Sequence, residues 1–196
     1  TLVTICHEGG HALVAVLVGR RLTGIRLHSD TSGLTLSRGR PTGPGMVATL
    51  LAGYPGAAIV GLGLAALAGT GHAAAVLWLL VLLAALMLVW IRNLYGLLVL
   101  LVAGAAVALA SWYSPPTVLG WIATGLAWLL LFAAPRPVLE LFRSRSGTSD
   151  AAQLAALTHL HRYGWCLLWL LFTLAALVTG ALWMVPGLYR ALTSLV

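Results

Sequence analysis

Six stretches of this chain run for about 20 residues with almost no charge, the length an α-helix needs to cross a hydrocarbon core roughly 30 Å thick. They cover residues 1–19, 46–67, 73–91, 94–112, 118–134 and 165–185. In lipid a backbone has to satisfy its own hydrogen bonds, so such runs predict helices. Composition agrees. Of the 196 residues 61% are hydrophobic and 8% charged, and mean hydropathy is +1.01, values outside the range of a water-soluble domain. The expected fold class is an all-α polytopic membrane protein with about six transmembrane helices, a single membrane-embedded domain over 1–196, and a small β-hairpin between the first two helices.

The formal charge of +7 comes from eleven arginines, no lysine and four acidic residues. A nucleic-acid surface and membrane topology compete to explain it, and the distribution decides. With the first helix running inward, Arg20, Arg21, Arg26, Arg38, Arg40, Arg92, Arg136, Arg143, Arg145 and Arg162 fall in inner loops, and only Arg190 lies opposite. The basic balance therefore reads as the positive-inside rule, with no nucleic-acid partner expected. The hairpin and the 135–164 connection then face the cytoplasm. Cys6 and Cys166 both sit in apolar runs and read as buried packing residues, not as a disulfide framework. The chain opens at Thr1 without an initiator Met and already inside a helical run, so a short leader is expected ahead of it.

Between the first two runs, Ile25, Leu27, Leu34 and Leu36 alternate with polar residues around SDTSG, which predicts a hairpin over about 24–38 with Gly33 free to take a positive φ. The second run carries Gly53, Ala57, Gly61, Ala65 and Gly69 at four-residue intervals, a ridge that lets another helix approach closely. Pro55 should bend that helix. In IRNLYG, Asn93 beside Arg92 reads as an interfacial amide or, together with Gly33 and Leu34 of the hairpin edge, as a substrate contact. The 135–164 connection contains a short helical stretch from Asp150 to Leu160, which either lies on the inner surface or starts below it and climbs out.

The chemistry is concentrated in ICHEGGHALVAVLVG. On a helix His7 and His11 share one face a turn apart, and Glu8 lies close by. This is the HExxH pattern, two metal ligands and a carboxylate that takes a proton from the attacking water and hands it to the leaving amine. Gly9 and Gly10 leave the flank bare for substrate or water. Random shuffling of this chain's histidines and acids would produce the pattern in fewer than about one in a hundred arrangements. An ionisable group near the bilayer centre also costs roughly 2.5–3.5 kcal/mol, so Glu8 needs compensation. A polar patch bonding neighbouring helices is the plain alternative. Haem is another, but it leaves Glu8 idle, and ligands four residues apart cannot take opposite faces of a flat macrocycle.

A hydrolytic zinc site usually takes three protein ligands. The remaining carboxylates are Asp30, Glu140 and Asp150. Asp30 suits the hairpin turn, Glu140 looks like an interfacial charge beside arginines, and His72 belongs to the opposite side. Asp150 keeps two readings open. It can N-cap the helix that follows, with Gln153 completing a capping box. It can also be a ligand: His11 lies about 13 Å of helix from Arg20, and Asp150 to Leu160 spans a similar distance, about 15 Å.

Taken together, HEGGH, the hairpin GIRLHSDTSGLT, LAGYPGAAIVG, IRNLYG and TSDAAQLAALTHL resemble the site-2-protease family of intramembrane zinc metallopeptidases, especially its compact bacterial M50B-like branch. The resemblance implies zinc as cofactor, His7, His11 and Asp150 as ligands, Glu8 as general base, a transmembrane protein as substrate, and a multi-pass location in a bacterial cell membrane. The better-known members carry an NPDG-like sequence where this chain has TSDAA. The competing class is a non-catalytic metal-binding, transport or helix-binding membrane protein.

Overall fold

The computed structural model describes residues 1–68 and 70–185; Gly69, the last member of the small-residue ridge, and Arg190 lie outside them. Helix α1 (Leu2–Leu17) leads into an antiparallel hairpin of β1 (Arg21–Leu27) and β2 (Gly33–Arg38). Then follow α2 (Pro44–Leu51), α3 (Gly53–Ala68), α4 (Ala73–Leu88), α5 (Leu94–Tyr113), α6 (Pro116–Ala133), α7 (Pro135–Arg143), α8 (Asp150–Leu157) and α9 (Arg162–Met184).

The chain is thus mostly helical, with the hairpin after α1. Among the described residues, three helices are long and apolar enough to cross a membrane: α5, the 28-residue run of α6 with α7, and α9. A fourth crossing exists if α2 and α3, bent by 55° at their junction, count as one. Helices α1 and α4 are shorter, 16 residues each, or about 24 Å. Each stops early for a visible reason. Gly19, at φ +76°, turns the chain out of α1, and Arg20 N donates to Ala15 O at 2.8 Å in the manner of a left-handed cap. After α4 the chain straightens to lie beside β1, where Ile25 N donates to Trp90 O at 2.7 Å and Arg92 N to Ile25 O at 2.9 Å.

The fifth apolar run does not end at Ala134. That residue keeps helical angles, φ −61° and ψ −39°, and the helix continues through what the sequence suggested was loop. The reason is amphipathic packing: Val138 and Leu141 are buried toward α9, while Arg136 and Glu140 point out and pair at 2.9 Å. Arg162 at the start of α9 donates to the carbonyls of Leu141 and Ser144, placing a cation at the carbonyl end of α7.

Helix α3 is central, packed against α1, α6 and α9. Its ridge members Gly53, Ala57, Gly61 and Ala65 are all buried. A Cβ on Gly61 would stand 2.9 Å from Leu131 Cγ, so α6 approaches along that ridge. The bend attributed to Pro55 occurs just before it, at Ala52. Proline removes the N–H that would bond Leu51 O, four residues back, and crowds that carbonyl. Leu51 O instead accepts from Trp169 Nε1 at 3.2 Å.

The hairpin pairs Ile25 with Thr35 and Leu27 with Gly33, with an irregularity between Leu22 and Gly24. Its turn differs from expectation. The left-handed position is Thr31, φ 68°, and Gly33 does not have a positive φ. Asp30 stabilises the turn by accepting Ser32 N at 3.0 Å and Ser32 Oγ at 2.7 Å. These bonds hold its carboxyl below the ordinary carboxylate range.

Candidate active site

Three donor atoms converge where α1, the α2–α3 break and the start of α8 meet. His7 Nε2 lies 3.0 Å from His11 Nε2 and 3.4 Å from Asp150 Oδ2, and His11 Nε2 lies 3.2 Å from the same carboxylate oxygen. The four-residue spacing on α1 supplies the imidazoles. Asp150 arrives from 139 positions further along the chain.

The helix break orients this cluster. His11 Nδ1 lies 2.7 Å from Thr49 O, a carbonyl near the end of α2 that a continuous helix would have given to Gly53 N. A carbonyl only accepts, so His11 carries its proton on Nδ1. Its Nε2 lone pair then points at a second imidazole nitrogen and a carboxylate oxygen. A cation among the three would be met by a donor atom from each. Ligand bonds of 2.0–2.2 Å in a tetrahedron place donors roughly 3.3 Å apart, close to the three observed spacings. His7, His11 and Asp150 therefore form a group that can hold a metal ion, and the donor set fits zinc.

Gly53 makes the arrangement possible. A Cβ there would collide with His11 Nε2 and stand 2.7 Å from His7 Cε1, so the start of α3 passes directly over both rings. Tyr54 stands edge-on to His7 at 4.7 Å between centroids and lies against Trp169, the residue that bonds Leu51 O. Nothing local in the sequence ties Thr49 or Tyr54 to the histidines; the available signals were Gly53 in the small-residue ridge and Pro55, which frees a carbonyl just upstream.

The cap expected of Asp150 belongs to its neighbour. Ser149 is the N-cap of α8, its Oγ accepting from Ala152 N. Gln153 does not close a capping box, because its amide donates to Thr148 O at 2.8 Å. Asp150 is the first helical residue, and its side chain is turned to the histidines. Helix α8 starts at the cluster, and Arg143 and Arg145 just before it remain exposed. Glu140, paired with Arg136, and Asp30, in the hairpin turn, are both occupied elsewhere.

Glu8 faces the other flank. It is buried, 4% exposed, and Thr35 Oγ1 donates to its Oε2 at 2.6 Å. Gly33 lies against the same carboxylate, so its missing side chain serves close approach and not the turn. The bare flank expected at Gly9 and Gly10 is filled by protein: Ala52 O comes within 2.5 Å of where a Gly10 Cβ would be, and Met87 Sδ lies 3.5 Å from that of Gly9. The other two residues suggested as substrate contacts diverge. Leu34 is exposed on β2, whereas Asn93 has both amide groups engaged with Leu27, accepting its N–H at 3.2 Å and donating to its carbonyl at 2.6 Å.

His7 and Asp150 keep 20% and 17% of their side-chain surface accessible, against 9% for His11, so the cluster is approached from the His7 and Asp150 side. A separate hollow between α3, α6 and α9 has no titratable side chain in its lining.

The family description Peptidase M50B-like matches residues 1–180. The chain belongs to that family. For an M50B-like peptidase, a group of two histidines and an aspartate among apolar helices is in keeping with a membrane metallopeptidase. No curated protein and no solved structure matches the chain.

Proposed function

We propose that this M50B-like protein is an intramembrane zinc metalloprotease that hydrolyses a peptide bond of a membrane-protein substrate. The observation that carries the reading is the convergence of His7, His11 and Asp150 on one point, with Glu8 next to His7 on the same helix. His7 Nε2, His11 Nε2 and an Asp150 oxygen would hold the zinc. When bound, the ion polarises the scissile carbonyl and makes water nucleophilic near neutral pH. Glu8 takes the proton from the attacking water and passes it to the leaving amine. Thr49 O fixes the His11 ring and its tautomer.

A helical substrate hides its carbonyls, so it has to unwind before it is cut. An extended segment can add to a free strand edge. The outer edge of β1 is already taken by residues 90–93 and the Asn93 amide, which leaves β2, with Leu34 on it, as the edge for substrate. Helices α1 and α4, with their flanking residues, complete a six-crossing topology that has the hairpin and the α7–α8 region on the cytoplasmic side of the cell membrane.

The burial of Glu8 beneath the hairpin favours a second reading, a relative that binds metal and membrane helices without cutting them. One experiment separates the two. Purified protein in detergent micelles is given a quenched-fluorescence peptide, a single apolar helix of about 20 residues interrupted by Pro-Gly. The protease reading expects about one zinc per chain, cleavage by the parent, and a loss of about 10²- to 10⁴-fold in Glu8→Gln with zinc retained. Equal cleavage by parent and Glu8→Gln would overturn it.

A further inference from the structure

Thr35 and Gly33 are two residues apart on β2 and so point to the same side of the strand, toward α1. Thr35 Oγ1 lies 2.6 Å from Glu8 Oε2 and 3.1 Å from Glu8 O. A hydroxyl has one proton to give, and the shorter contact has the length of a charge-assisted bond to a carboxylate. Gly33 sits over the other oxygen: a Cβ there would be 2.5 Å from Oε1 and 2.8 Å from Cδ. The strand therefore bonds one oxygen of Glu8 and packs its bare backbone at Gly33 against the other. Among the described residues, Thr35 supplies the carboxylate's one hydrogen bond.

We infer that Thr35 is a positioning residue that locks the Glu8 carboxylate through Oε2 and so holds the base in one orientation for proton transfer. The inference rests on the protease reading. A glutamate has three side-chain torsions and loses rotamer freedom when held, so an untethered carboxylate spends most of its time away from the productive geometry. The cost of losing the tether falls on the chemical step, because the Thr35 hydroxyl touches the base, whereas β2 would offer a substrate its backbone edge. Gly33 acts with it. Any side chain there pushes Glu8 off the bond that Thr35 makes.

The test uses the full zinc-loaded chain and the Pro-Gly helix peptide. Thr35→Val keeps the shape and strand preference and removes the hydroxyl; Thr35→Ala substitutes for it if the valine variant does not fold. Expected results are a drop in kcat of about tenfold to a hundredfold, a KM within about twofold, one zinc retained, and recovery in Thr35→Ser. Structures of the zinc-loaded parent and of Thr35→Val should show Glu8 in one rotamer in the first and several in the second. A hydroxyl-free variant that keeps zinc and the parent kcat, or an unchanged single Glu8 rotamer, overturns the inference. If Glu8→Gln abolishes cleavage while Thr35→Val does not, the tether alone is wrong. If Glu8→Gln cuts as fast as the parent, the protease reading fails and takes the tether with it.

Discussion

The two flanks of α1 are built by different means. On one, His7 and His11 meet helices, and every group that orients them comes from chain distant in sequence: Thr49 and Gly53 at a broken helix, and Asp150 at the start of α8. On the other, Glu8 meets the hairpin that follows α1 after a few residues, and Thr35 and Gly33 are a strand's period apart. The histidine flank thus depends on how the whole bundle closes. The Glu8 flank is nearly a local unit. Under the proposed protease reading, a helix with ligands and base offset around its axis is supported twice, once by the bundle and once by the hairpin.

That contrast can be broken by substitutions that disturb one flank only. The largest effect is expected for Asp150→Ala, which removes a donor while Ser149 still caps α8. Zinc affinity should fall by about a hundredfold or more, at the upper end of what losing a supporting partner costs, with thermal stability of the metal-free protein nearly unchanged. Full zinc occupancy in that variant would exclude Asp150 as a ligand. Gly53→Ala should act next most strongly. Its methyl meets both imidazoles, so a roughly tenfold to hundredfold loss of zinc affinity is expected, together with an apo-protein stability loss of about 1–3 kcal/mol from overpacking. If Glu8 keeps its bond to Thr35 in a structure of this variant, the flanks are independent as described.

The smallest effect belongs to the hairpin tip. Asp30 has its carboxyl pKa lowered by the Ser32 hydroxyl and amide, so the order it lends the turn is present above the ordinary carboxylate pKa of about 3.9. It is lost as pH falls through the lowered folded value. Protection of the Ser32 amide, its exchange rate relative to the unstructured peptide at the same pH, should therefore fall on acidification in the parent and already be low at neutral pH in Asp30→Ala, with zinc binding unaffected in Asp30→Ala. A change in zinc affinity on Asp30→Ala would show that the hairpin and the donor cluster are coupled after all.

Much of this was legible beforehand for physical reasons. Helical runs follow from the need to hide backbone in lipid, and the period-two pattern over 24–38 marks the hairpin. The spacing of His7, Glu8 and His11 carries its own geometry, since four residues on a helix is one turn. Elsewhere local rules misled. Gly33 in SDTSG resembles a turn glycine, yet Thr31 takes the left-handed angle and Gly33 makes room for Glu8. Asp150 left two readings open, cap and ligand, and Ser149 takes the cap. Both cases have one cause: a glycine or an aspartate suits a turn or a helix start equally well whether or not a distant side chain needs it more.

By itself the sequence determined the apolar helices, the hairpin and the two imidazoles with a carboxylate on α1, because each depends on periodicity within a single element. Only the tertiary structure decided that Asp150 reaches the histidines, that the helix breaks near them just before Pro55, and that among the described residues the outer edge of β1, not of β2, is covered. Those are contacts between elements far apart in the chain. Their energy depends on how close two backbones can come, and no local pattern records that distance.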